Sequence, residues 1–243
     1  MLVLLKLFLA IFIPVLVFSL YSRKFANPFK LTFIFGKKGS GKSTYMVKLM
    51  LRYLKKGWLV YTDMQDVIIP NVRIINARDL ENFAPAGNSV LFLGEVGITY
   101  DNRNYSKFPE GIRDLFKFER KYKFRCYMDS QSYDIDKKLR DVVDGMYLQS
   151  NIGNVIGLSR PIYKSISLTE PSADSESRIA EHLKFAPFWK WKVTWMPRYH
   201  KYFDSFSAPA RPAIPYKEVT ADKLTAKQEL RKINRFWNRS KKH

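Results

Sequence analysis

Eight consecutive residues, Gly36, Lys37, Lys38, Gly39, Ser40, Gly41, Lys42 and Ser43, have the types and spacing to hold a triphosphate. The pattern is G-x-x-x-x-G-K-S, in which glycines let successive backbone N–H groups turn inward around an anion. A helix opening near Gly41 would point its positive dipole end at that anion, and Lys42 would add a full charge for the β- and γ-phosphates. The Ser43 hydroxyl is placed for Mg²⁺, with Thr44 beside it. ATP and Mg²⁺ are the cofactors this chemistry takes. A mere glycine-rich turn would not need the flanks found here.

Two more residues could complete a hydrolytic site. The apolar run Ser89-Val90-Leu91-Phe92-Leu93 ends on Gly94-Glu95, at the distance from Lys42 where a Walker B strand belongs. That strand ordinarily ends Asp-Glu, the Asp holding Mg²⁺ through water and the Glu polarising the attacking water. Glycine stands in the place of the Asp, so Glu95 is left to polarise water, to bind the metal directly, or to do neither. Hydrolysis is accordingly expected to be slow or to need a partner. The strand Phe124-Arg125-Cys126-Tyr127-Met128 leads to Asp129-Ser130-Gln131, where Gln131 either senses the γ-phosphate or caps a turn.

These groups require a sheet with their strand ends side by side. Leu31-Thr32-Phe33-Ile34-Phe35 is β-prone and precedes the glycine loop, and residues 44–56 follow it at helical spacing up to Gly57. Strands are expected at 58–62, 72–75, 88–93, 124–128 and 146–149, with helices at 109–122 and 135–143. Strand and helix alternate, so the expected class is α/β, a P-loop NTPase fold with a mainly parallel sheet flanked by helices. Ligand should bind beyond the carboxyl ends of the strands.

Residues 2–21 are apolar except for Lys6 and Ser19, and would reach roughly 30 Å as a helix, about a bilayer's hydrocarbon thickness. A transmembrane anchor over 1–22 is expected, with a cleaved signal peptide or a core helix as alternatives. Arg23, Lys24 and Lys30 follow it, which puts the remainder in the cytoplasm by the positive-inside rule. Forty-two Lys and Arg against 22 Asp and Glu give a net charge of +20, suited to a polyanion or an anionic membrane surface. A single cysteine and three scattered histidines exclude an intrachain disulfide and any Cys/His metal cluster.

The ATPase domain is expected over 31–168, with a hairpin from the alternating β-prone residues at 155–168 around Arg160-Pro161. An aromatic and basic extension with a Pro-rich linker follows at 169–219, and then a basic amphipathic helix at 220–243. The extension's aromatics among cations suit stacked bases, a lipid headgroup layer, or a packed core. The final helix suits anionic lipid, nucleic acid or a neighbouring protein.

The glycine octet, the apolar run with Glu95, Tyr100-Asp101-Asn102-Arg103, Phe118-Glu119-Arg120-Lys121-Tyr122, Ser130-Gln131 and Ile135-Asp136-Lys137-Lys138-Leu139-Arg140 occur in one order. Together they resemble the zonula occludens toxin-like ATPases, which include the inner-membrane assembly ATPases of filamentous phages. The resemblance covers residues 31–149. It implies a motor related to hexameric DNA translocases, forming a ring that drives single-stranded DNA through the host membrane as coat protein is added. By matching motif it assigns Lys42 and Ser43 to nucleotide and Mg²⁺, Glu95 to the Walker B acid and metal, and Gln131 to the sensor. It also offers Arg103, Arg120 or Arg140 as an arginine finger acting in trans. Gly94 and the amino-terminal position of the span depart from the family pattern. Two other readings stay open: a non-hydrolysing nucleotide-binding scaffold for assembly, favoured by Gly94, and, less favoured, a small-molecule kinase.

Overall fold

The computed structural model describes residues 2–99, 109–133, 137–168, 179–204 and 230–231. Helix α1 (Leu2–Ser22) contains Pro14 and coincides with the expected anchor. Its side chains are described at Lys6, Phe8 and 10–22, and all of these are exposed. Among the described residues no helix is long and apolar enough to cross a membrane.

Past α1 the chain alternates strand and helix. It runs through β1 (Leu31–Phe35), α2 (Lys42–Leu54), β2 (Leu59–Thr62), β3 (Val72–Ile74), β4 (Ser89–Leu93), α3 (Val96–Thr99), α4 (Glu110–Lys117), α5 (Glu119–Tyr122), β5 (Phe124–Ser130), α6 (Lys137–Val142) and β6 (Gly145–Ile152). The helix expected over 109–122 is two helices, since Phe118 leaves helical geometry at φ −108° and ψ 22°. β6 is not the last strand of the sheet, as the sequence suggested. β7 (Ile156–Leu168), β8 (Ile179–Phe185) and β9 (Lys192–Trp195) extend it, so residue 168 is not where the sheet ends.

The order across the sheet is β3-β2-β4-β5-β1-β6-β7-β8, with β9 also on β7. All pairings from β3 to β6 are parallel, and those of β7 with β6, β8 and β9 are antiparallel. Residues 155–168, expected as a hairpin, form one strand instead, and it is β6 and β7 that make a hairpin, turning at Gly153, whose φ of 59° suits glycine. Pro161 lies inside β7, paired with Tyr147. Its carbonyl accepts from Ala186 N–H on the outer side, so its missing donor also faces outward, at the rung between the end of β9 pairing and the start of β8 pairing. The ladder to β6 therefore loses nothing.

Alternation along the strands builds two cores. On one face Leu31, Phe33, Leu91, Leu93, Phe124, Cys126 and Met128 pack with Ile112, Leu115 and Phe116 of α4. On the other, Ile34, Val60, Val90, Phe92 and Tyr127 pack against Tyr45, Met46, Leu49 and Met50 of α2. The extension is partly core as well: Phe203 is buried in the α2 face, while Trp189 and Trp195 are exposed. Lys48 of α2 donates to Val193 O at 2.8 Å and Thr194 Oγ1 at 3.0 Å, tying the helix to β9. The unit comprising residues 1–206 ends here; of 207–243 only Leu230 and Arg231 are described, so the basic helix expected at 220–243 lies almost wholly outside the described residues.

Candidate functional site

Parallel strands deliver their carboxyl ends to one edge, and the glycine loop follows the end of β1 there. Gly36 donates to Ser130 O at 3.2 Å, and a side chain at this position would collide with the Gln149 carbonyl oxygen. Gly39 and Gly41 adopt φ of 77° and 87°, in the left-handed region where glycine has no steric penalty. Gly41 caps α2 without a side-chain bond, and no acidic residue occupies the first turn. The amides that open α2 are thus free of a local capping side chain and aim at the cavity. Lys42 is buried, and its Nζ donates to Gly36 O at 3.0 Å, which folds the ammonium over the loop. Ser40 Oγ is buried without a partner. Thr44 is buried and Ser43 half-buried, both at the cavity wall.

The cavity has a volume of about 420 Å³. Residues 38–44 line it together with Glu95, Gln131, Asp66, Met196, His200 and Phe203. A second hollow of about 460 Å³ adjoins the same loop and is lined by Lys37, Lys38, Ser150, Asn154 and Arg160.

Glu95 and Gln131 meet at the cavity wall, where Gln131 Nε2 donates to Glu95 Oε1 at 3.2 Å. Glu95 has φ of 48°, and its N–H donates to Asp129 Oδ1 at 3.1 Å. Next to it Gly94 N–H donates to Asp63 Oδ1 at 2.7 Å. Burial pushes the Asp129 carboxyl up to about 7, against the opposing pull of Lys42 and the Glu95 N–H. Burial likewise raises Asp63 to about 6, against the hydrogen bond from Gly94. The site edge is thus a set of three acids beside one buried lysine.

Of the arginines offered as fingers, none of the described ones lines the cavity. Arg120 is exposed on α5, ahead of the amino end of β5 and so at the edge of the sheet away from the loop. Arg140 lies 5.0 Å over the Tyr133 ring, which in turn packs on Phe35. Arg103 lies outside the described residues.

Several residues here were not anticipated. Asp63 and Asp129 follow apolar strands just as Glu95 does, a signal that was available at Thr62-Asp63 and Met128-Asp129. Asn151 Nδ2 donates to Gly39 O and, at 2.9 Å, to Asn154 Oδ1, so the β6 tip holds the loop. Met196 and His200 reach the cavity because Ile68 N–H bonds Tyr202 O at 2.8 Å and Asp204 N–H bonds Asp66 O at 3.0 Å, strapping the extension across. No local pattern announces such a long-range contact.

No protein-family model matches the sequence. No curated protein matches it either. Among solved structures, the chain is similar to the N-terminal domain of zonular occludens toxin from Neisseria meningitidis, at 15% identity and a TM-score of 0.49, over 72% of this chain and 99% of that one. It is also similar to the flagellar accessory protein FlaH from Methanocaldococcus jannaschii, at 11% identity and a TM-score of 0.41, over 54% and 77%. A third similarity is to the genome packaging NTPase B204 from Sulfolobus turreted icosahedral virus 2, in complex with ATP-gammaS, at 16% identity and a TM-score of 0.39, over 53% and 77%.

Proposed function

We propose that this chain is a P-loop ATPase that α1 anchors in the host cytoplasmic membrane and that drives export of single-stranded DNA during filamentous phage assembly. One observation carries the enzymatic reading: Lys42, folded over Gly36, and the Glu95–Gln131 pair converge on one cavity at the amino end of α2. The triphosphate of ATP lies against the amides of residues 38–43, with the Lys42 ammonium on its outer phosphates. Ser43 and the carboxylate of Glu95 line the cavity and are hard oxygen donors, which fits Mg²⁺. That ion would neutralise charge on the transferred phosphoryl group. Glu95 orients the attacking water and accepts its proton, while Gln131 fixes the Glu95 carboxylate from the neighbouring strand.

Other features support the biological setting. The described apolar side chains of α1 find no core to cover them, and a bilayer would cover them. The basic residues Arg23, Lys24 and Lys30 behind it support a cytoplasmic side for the ATPase unit. A charge of +20 suits a DNA strand drawn past the protein. The resemblance offers an arginine from a neighbouring copy to complete the cavity, in a homo-oligomeric ring. Phage coat and assembly proteins are the remaining partners.

A second reading, a scaffold that binds nucleotide without hydrolysing it, is favoured by Gly94. Phosphate release by the full chain in anionic liposomes, with and without single-stranded DNA, separates the two. The motor gives DNA-stimulated release that falls steeply with salt and disappears in Lys42→Ala. Tight nucleotide binding with no release under any of these conditions establishes the scaffold instead.

A further inference from the structure

The β4–β5 register pairs Leu93 with Met128, so the next rung sets Gly94 beside Asp129. A side chain at 94 would come into van der Waals contact with that carboxylate. A Cβ built on Gly94 would stand 3.7 Å from Asp129 Oδ1, 3.6 Å from Asp63 Oδ1 and 3.0 Å from Met64 Cγ. An aspartate at 94 would crowd Met64 and add a third carboxylate against two. The glycine is thus matched to its neighbours.

We propose that Asp129, one strand over, supplies the metal-facing carboxylate that position 94 lacks. Asp129 is 4% exposed, and no Lys or Arg of the described residues forms an ion pair with it; Lys42 of the phosphate loop is the cation whose charge reaches it. A buried carboxylate that makes no ion pair is costly, and a divalent ion held through water on the Ser43 side would lower that cost. The placement also divides the labour between the two Asp129 roles. Oδ1 accepts the Glu95 N–H and holds Glu95 at its left-handed φ, whereas the carboxylate charge faces the metal's water shell. Asparagine keeps the Oδ1 acceptor and removes only the charge. Asp63, bonded to the Gly94 amide, positions the β4 tip.

The inference rests on the nucleotide-binding reading above, and its test separates the two. Affinity of the full chain for a fluorescent ATP analogue is measured across a Mg²⁺ titration, with Mn²⁺ electron paramagnetic resonance reporting metal retention in the nucleotide complex. Asp129→Asn should raise the Mg²⁺ midpoint by about tenfold or more and weaken Mn²⁺ retention to match, with metal-free nucleotide affinity within about threefold of wild type. Asp129→Ser, run beside it, should show the same midpoint shift. A midpoint within about twofold of wild type in both variants overturns the proposal while leaving the ATPase reading intact. Equal loss of affinity with and without metal overturns it too, since the role would then be structural. Wild type that binds no nucleotide at all sinks the underlying reading and this inference with it.

Discussion

Gln131 and Glu95 join the tips of β5 and β4, with Gln131 Nε2 donating to Glu95 Oε1 at 3.2 Å. Two strands that are neighbours in the sheet, but distant in sequence, thus share one polar contact at the cavity wall. The pair is built to keep a carboxylate oriented, because amide and acid each fix the other's rotamer.

Glu95→Gln removes the base without removing the volume. Phosphate release should fall by about a hundredfold or more, while nucleotide affinity stays near wild type. Single-turnover release beside equilibrium binding measures both. Equal loss in both would mean that Glu95 holds ligand and does not promote its hydrolysis.

Gln131→Ala should reduce turnover less than Glu95→Gln does, by about tenfold, because it frees the carboxylate's rotamer but leaves the base in place. The double variant should be no worse than Glu95→Gln alone. Independent, multiplying effects in that kinetic cycle would contradict the 3.2 Å contact as a working unit.

Gly36→Ala has no room, since its new methyl would enter the Gln149 carbonyl oxygen. The loop must move off β6, so thermal stability should drop by a few degrees and nucleotide affinity by about tenfold or more. Gly39→Ala meets no atom but must hold a φ of 77°, which costs about 1 kcal/mol. The Gly36 variant should therefore be the worse of the two in both thermal melts and binding curves.

Asp63 and Asp129 titrate in the folded protein near 6 and 7, above the ordinary value of 3.8, because burial disfavours their charged forms. The sign follows directly: both are most favourable to folding when protonated. Their contribution is fully present below about pH 4 and is lost as pH rises through 6 and 7. The metal-free protein should lose melting temperature over this window, and Asp129→Asn should lose about 5 °C less. Thermal melts from pH 4 to 8 measure the difference. A variant that tracks wild type throughout would show that the Asp129 charge carries no folding cost.

The glycine octet was legible because its function is local: eight neighbours fold one loop, and spacing alone identifies them. Glu95 and Gln131 were legible for a related reason, as polar residues at the ends of apolar runs. Asp63 and Asp129 carry the same mark, but on strands beside β4 and not on β4 itself, where the Walker B acid ordinarily lies. The strands beyond β6 are hidden for a different reason. β7 contains Pro161, which interrupts the sequence signal of a strand and is tolerated because its missing donor faces the outer edge, so that no bond to β6 is lost. Met196 and His200 could not be foreseen, since hydrogen bonds between residues 66–68 and 202–204 bring them to the cavity.

The direction of β1 has its own outcome. The chain leaves α1, enters this strand at Leu31 and reaches Gly36 some 17 Å further on, so tether and cradle occupy opposite poles of one unit. In an anchored molecule the incoming fuel and departing phosphate would use the pole turned toward open cytosol. The opposite pole, carrying Lys30 and the start of β5, would then stay clear of that traffic.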